Sequence, residues 1–273
     1  MSTKEQSSLK DALASAFAVS VIIICAVAGY IIWKYVMGNP INFEGGNNLT
    51  GHPKPVNYLG IIYRGGVIVP LLIAVILILF TFVIERFISL ARANGRKGLN
   101  VFVRNLQSLL AENKIEEASA ACDKQKGSLA NVMKSGLIRY RELQSDSSLA
   151  NDQKVVALQK EIEEASALEM PIFSRNLVIL STIASISVLI GLIGTVIGMI
   201  KAFAALATAG SPDALALANG ISEALINTAF GISGSTIAII LFNYFSTRID
   251  GMTFKIDEAG FSLVQTFAGT LKK

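Results

Sequence analysis

The sequence predicts an all-α, polytopic helical membrane protein with four transmembrane helices and an extended cytoplasmic helical bundle. Three observations carry this. Of the 273 residues, 52% are hydrophobic and 16% charged, with a mean hydropathy of +0.54, too apolar for an ordinary soluble domain. Long apolar segments recur at about 13–37, 67–84, 177–200 and 221–245, each near the roughly 20 residues that span a bilayer core. Between the second and third lies a long charged stretch whose apolar residues recur at three- and four-residue spacing, the period of amphipathic helices. Amides and carbonyls in lipid need partners within their own segment, so each crossing is expected to be a helix.

Residues 1–37 form a polar tail and a first apolar helix without a small-x-small cleavage signal. The helix is read as retained, because a secretory core is only about 7 to 15 residues long. Residues 38–66, rich in Gly, Pro and Asn, read as an irregular periplasmic loop. The second span, 67–90, reaches full length only if Gly65, Gly66 and the stretch to Leu90 contribute. Residues 91–170 form the cytoplasmic helical domain. Its apolar positions are Leu106, Leu109 and Leu110, then Ile115, Ala118, Ala121 and Cys122, then Met133, Leu137 and Tyr140. The segment 154–170 follows, with a stripe at Val155, Leu158, Ile162 and Ala165 and an i,i+4 pair, Lys160 and Glu164.

Pro171 fits the first turn of the third span or a kink in a helix running through from the cytoplasm. A continuous helix over 151–206 would be roughly 80 Å long. Residues 171–250 hold spans three and four, joined by a turn at 211–218 with Asp213 near a helix start, and 251–273 form a cytoplasmic C-terminal helix or tail.

Charge orients these spans. The stretch 86–175 carries fourteen Lys and Arg, the N-terminal tail has Lys4 and Lys10, and Arg248, Lys255, Lys272 and Lys273 follow the last span. The loop 38–66 has only Lys54 and Arg64, and 208–220 has neither residue type. Positive residues flank spans on the inside, which places both termini on the cytoplasmic side.

Several function classes fall away. A formal net charge of +4 on 273 residues is no footprint for nucleic acid. Cys25 and Cys122 stand in different chemical settings and suggest neither a disulfide framework nor a ligand cluster. The lone His52, in a Gly/Pro/Asn-rich loop, does not make a transition-metal site. No cofactor is expected. GLIGTVIGM (191–199) is glycine-rich but lacks the Gly-Lys-Ser/Thr ending and strand-before context of a P-loop, and no nucleophile and base stand at credible spacing.

Instead, span three places Ser187, Gly191 and Thr195 four residues apart, with Gly194 and Gly198 one position round. Span four repeats the pattern with Glu223, Asn227, Gly231 and Ser235, flanked by Thr228 and Gly234. Small residues at this spacing let helices approach closely, and a hydroxyl in hydrocarbon needs a partner or a water path. Two readings stand side by side. The stripes can seal a tight bundle, with Thr195 and Thr228 bonded back to carbonyls and Glu223 paired to Lys201. Alternatively they line an ion route, with Thr195, Thr228, Glu223, Asn227 and Ser235 along it and Gly191, Gly194, Gly198, Gly231 and Gly234 packing the helices. A proton relay needs Asp, Glu or His near the midplane, and this chain has none there. An ion route would draw its titrating group from another chain.

The stretches GLIGTVIGMIKAF (191–203) and ISEALINTAFGISGSTIAIILFNYF (221–245), with a weaker GG-I-P--------------ERF pattern over 65–87, resemble the MotA/TolQ/ExbB proton channel family, the ExbB/TolQ branch more than the MotA branch. The resemblance implies a homopentameric ring around a dimer of single-span ExbD/TolR-like partners, each supplying a transmembrane Asp, and a TonB-like protein that delivers the work to outer-membrane receptors. Thr195 and Thr228 match the threonines facing that Asp, Glu223 the acid near the outer start of the last span, and Asn243 the family Asn near its inner end. Two features depart from the branch pattern. Val188 and Ile237 stand where prolines are common, implying straighter helices, and the helix within 1–37 is additional to the usual three spans. The rivals are a TolQ-like or gliding-type stator driving another envelope machine, and a non-conducting membrane scaffold.

Overall fold

The computed structural model describes residues 3–48, 53–54, 57–207 and 213–271. His52, and the start of the turn expected at 211–218, lie outside them. All regular structure among the described residues is helical apart from one isolated bridge, Phe43 to Pro53. Four helical stretches are long and apolar enough to cross a membrane.

Helix α1 (Thr3–Ile31) passes into a π-helical stretch, Ile32–Met37. The described parts of the loop that follows hold more regular structure than its composition suggests. Short 3-10 turns occupy Pro40–Asn42 and Glu44–Gly46, and α2 (Tyr58–Tyr63) is capped by Asn57, whose Oδ1 accepts from the Leu59 and Gly60 amides. Phe43 is buried edge-on against Tyr63, which stacks on Trp33 at 4.8 Å between ring centres. A 3-10 turn, Gly66–Ile68, leads into α3 (Val69–Asn94).

Helices α4 (Leu99–Ala111), α5 (Ile115–Gln125), α6 (Ser128–Ser145) and α7 (Asn151–Ser174) follow. Helix α7 is not continuous with α8 (Leu177–Leu206). Arg175 leaves the helical region with ψ 134, and Asn176 takes φ +59, a left-handed conformation that Asn tolerates better than most residues. The expected 151–206 rod is therefore two helices. Pro171 sits inside α7, one turn before the break. Helix α9 (Ala214–Thr270) starts where Asp213 Oδ1 accepts from the Leu215 and Ala216 amides at 3.0 Å each, and runs for 57 residues without interruption, about 85 Å. The C-terminal segment is thus the same helix as span four, and both α8 and α9 pass unbroken through Val188 and Ile237.

The chain divides into two compact units, one of residues 1–83 and 179–242, the other of 84–178 and 243–273. In the first, α1 lies on α3 at Gly29, where a Cβ would stand 2.7 Å from the Pro70 carbonyl oxygen. Met37, Val69 and Ile73 form a core there.

In the second unit the amphipathic pattern of α4 to α7 closes a soluble-type core. Leu106, Leu110, Ala118, Cys122, Met133, Leu137, Tyr140 and Leu158 are buried, together with Ile256, Leu263 and Phe267 of α9. Two turns touch backbone to backbone at Gly127, where a Cβ would stand 2.5 Å from the Ala93 carbonyl oxygen. Gln125 ties them, donating to the Asn94 and Lys97 carbonyls and accepting from the Lys97 amide. Lys160 and Glu164 pair at 3.6 Å on the exposed face.

Candidate functional site

Gly191 and Gly198 of α8 and Gly220 and Gly231 of α9 lie where the two backbones touch. A Cβ at Gly191 would stand 2.9 Å from the Asn227 carbonyl oxygen, at Gly198 2.7 Å from that of Gly220, and at Gly231 2.8 Å from that of Ser187. Gly194 abuts the Asn227 side chain, and Gly234 abuts Ser187 Oγ. Glycine in a helix costs about 1 kcal/mol relative to alanine. Close helix approach, with its van der Waals contact, is what offsets that cost in a membrane, where no hydrophobic drive joins helices.

This contact buries part of the polar stripe inside the chain. Asn227 is 0% exposed and its Nδ2 donates to the Gly65 carbonyl at 2.9 Å. Ser235 Oγ donates to the Ala184 carbonyl at 2.6 Å. Ser187 Oγ and Asn227 Oδ1 are buried without a partner among the described residues, the kind of atom that costs about 1–3 kcal/mol if left so. Glu223, with its side chain 8% exposed, is held by Lys201 Nζ at 2.7 and 2.8 Å, the lysine being 52% exposed. The Glu223 carboxylate packs against Gly66, where a φ of +78 would strain any side chain and a Cβ would be brought onto the carboxylate.

The two threonines stand apart from this line. Thr195 and Thr228 are half-buried, each one residue beyond a contact position, Gly194 and Asn227. Thr195 Oγ1 donates to the Leu192 carbonyl at 2.6 Å and Thr228 Oγ1 to that of Ala224 at 3.1 Å. Each hydroxyl thereby spends its hydrogen on its own helix and keeps acceptor lone pairs for an outside donor, such as a protonated acid or a water. Between Glu223 and Asp250, α9 contains no Asp, Glu or His. Asn243, in the other unit, is exposed, and its carbonyl accepts from Thr247 Oγ1. Among the described residues no group of His, Cys, Asp and Glu could hold a metal ion.

Arg86 enters the sequence reading as a topology charge and as part of the weak ERF match, yet it is 0% exposed. Its Nε and Nη2 donate to Glu85 at 2.8 and 2.7 Å, and its Nη1 donates to the Phe173 carbonyl at 3.1 Å. Asn176 Nδ2 reaches Glu85 at 3.3 Å. Arg86 thus satisfies a carbonyl that the break after α7 leaves without an intrahelical donor. An adjacent acid and base near the end of an apolar span was the available signal.

The model of the MotA/TolQ/ExbB proton channel family matches residues 124–258. The chain is 28% identical over 202 residues to the Tol-Pal system protein TolQ of Haemophilus influenzae, covering 72% of this chain and 87% of that one. It is 27% identical over 154 residues to the protein of the same name from Pseudomonas aeruginosa, covering 56% and 67%. Against the putative biopolymer transport protein ExbB homolog of Methanothermobacter thermautotrophicus it is 38% identical over 96 residues, 35% of this chain and 34% of that one.

Proposed function

This chain belongs to the MotA/TolQ/ExbB proton channel family, a multi-pass inner-membrane protein and not an enzyme, and we propose that it is the ring subunit of an ExbB–ExbD type motor driven by the proton-motive force. Five copies surround a dimer of ExbD/TolR-like single-span partners, and a TonB-like protein carries the work to outer-membrane transport. Both termini lie in the cytoplasm. The reading rests on the two half-buried threonine hydroxyls, Thr195 and Thr228, on a helix pair that offers no titrating group of its own at that depth. The partner's Asp would take up and release the proton against their lone pairs. Glu223 is the acid at the outer mouth, Asn227 and Ser235 stiffen the wall behind the threonines, and Asn243 serves near the inner end. Moving one charge through 100 mV supplies about 2.3 kcal/mol, so a few protons suffice to repack a small helical interface.

The test is Thr228→Val, which removes a hydroxyl and little volume. The ring should assemble at normal levels, while uptake of a receptor-dependent nutrient and proton flux in vesicles fall at least tenfold; Thr195→Val should behave alike. Normal uptake in both variants defeats the assignment and favours a scaffold. A second reading, a stator of the Tol-Pal type, is favoured by the length of the match to the Haemophilus protein. Deletion of the gene separates the two: lost siderophore uptake supports the first, detergent sensitivity with intact uptake the second.

A further inference from the structure

A groove of about 770 Å³ opens in the second unit, between the C-terminal turns of α3 with the turn after them and the segment of α9 beyond Tyr244. One end is aromatic and apolar, formed by Phe87, Leu90, Tyr244 and Phe245; the other carries Arg248 and Lys255. No carboxylate lines it. Lys255 is engaged by Glu258 at 2.7 Å. Arg248 has no carboxylate partner among the described residues: its guanidinium lies over the Tyr244 ring at 5.6 Å, and its Nε donates to the tyrosine hydroxyl at 3.3 Å.

Position along the helix gives this polarity its meaning. The apolar run of span four ends at Phe245, and the first cation follows within one turn. Aromatic side chains gather where hydrocarbon meets headgroups, and cations just beyond them meet phosphates. Two glycines line the groove and border open space. A Cβ at Gly98 or Gly251 would meet no atom within 4 Å, although Gly251 is inside α9, where alanine would be the more stable residue. Gly191, Gly198, Gly220 and Gly231 of α8 and α9 are explained by backbone contact; Gly251 is not.

We propose that this groove binds one anionic phospholipid of the inner leaflet, an acyl chain lying along Phe87 and Phe245 and the phosphate at Arg248. The volume is that of a small-ligand site, enough for the headgroup and the first part of a chain. This goes beyond the motor reading and does not depend on it, since it requires only that α3 and α9 leave the bilayer here. A bound lipid would hold the end of α3 against α9 at the point where both emerge.

The test uses the full chain, exchanged in detergent with phosphatidylglycerol or with phosphatidylcholine, and counts retained lipids by native mass spectrometry. Phosphatidylglycerol should be retained over phosphatidylcholine. Arg248→Gln should lower that retention about five-fold, the contribution of one cation at an anionic surface. Gly251→Leu, which fills the groove and favours the helix, should abolish it, and Lys124→Gln, on the exposed face of α5, should change nothing. Equal retention of the two lipids overturns the proposal. So does unchanged retention in Gly251→Leu, an equal loss in Lys124→Gln, or cross-linking through Gly251→Cys to a second copy of the chain in place of lipid.

Discussion

Asn227 and Thr228 are neighbours in sequence and about 100° apart on α9, and that rotation decides what each can do. Asn227 faces Gly194 and Gly65 and is consumed by packing; Thr228 stands at the edge. The four-residue spacing made the polar stripe legible, but its division was not, because a third element, the turn at Gly65 and Gly66, determines which side of α9 is covered. The glycines are more restrictive than the hydroxyls. Gly191→Val places two methyls on a carbonyl contact 2.9 Å from a bare Cβ, and thermal unfolding in detergent should show a loss of about 2 kcal/mol or failed assembly. An unchanged melting curve would mean that α8 and α9 do not touch there. Cys122 makes a separate prediction in the other unit. Burial first, and the Asp123 carboxylate next to it, push its thiol from 9.0 up to about 12. Its folded-state value lies above the unfolded one, so its contribution to stability is complete below pH 9.0 and is lost as pH rises towards 12. With Cys25→Ser in the background, Cys122→Ala should flatten the alkaline fall in stability over that window. An identical fall with and without the thiol would contradict its burial.

At the scale of elements, periodicity carried most of the fold. The stripe on 154–170 buries Leu158 and Ile162 as a 3.6-residue period requires, and Asp213 caps α9 as a helix-start residue should. Two features were harder to see. The uninterrupted run from span four to Thr270 has no start or stop residue to mark it, and the break at Arg175 and Asn176 carries no glycine. That break is held by Arg86, a tertiary contact 87 residues away in sequence, which no local pattern encodes. Removing one member of a buried ion pair strands the other. Arg86→Met should therefore destabilise the protein by about 3 kcal/mol, discounted towards 2 because Glu85 is partly exposed. Glu85→Gln together with Arg86→Met should recover part of the loss. Denaturant titration of the single and double variants checks this: equal stabilities of the Arg86→Met single variant and the native chain would remove the latch.

For the whole molecule, composition and hydropathy pointed to a four-helix membrane protein because the bilayer leaves no alternative to helices for such segments. The proposed ring does not follow from those patterns, since the edge of a helix pair looks the same whether it meets lipid, a copy of itself or another protein. Exposed apolar residues flank the threonines on both helices, Leu192 and Val196 on α8 and Leu225 and Ile232 on α9, as a surface that meets neighbouring chains or lipid requires. What distinguishes an ion motor from a sealed scaffold is where Thr195 and Thr228 point in the assembly. The decisive measurement is a structure of the chain co-purified with the proposed single-span partner. An Asp of that partner level with Thr195 and Thr228, inside a central space shared by the copies, is the expected result. Both threonines turned to lipid, or closed off in separate contacts with no common interior, would contradict it.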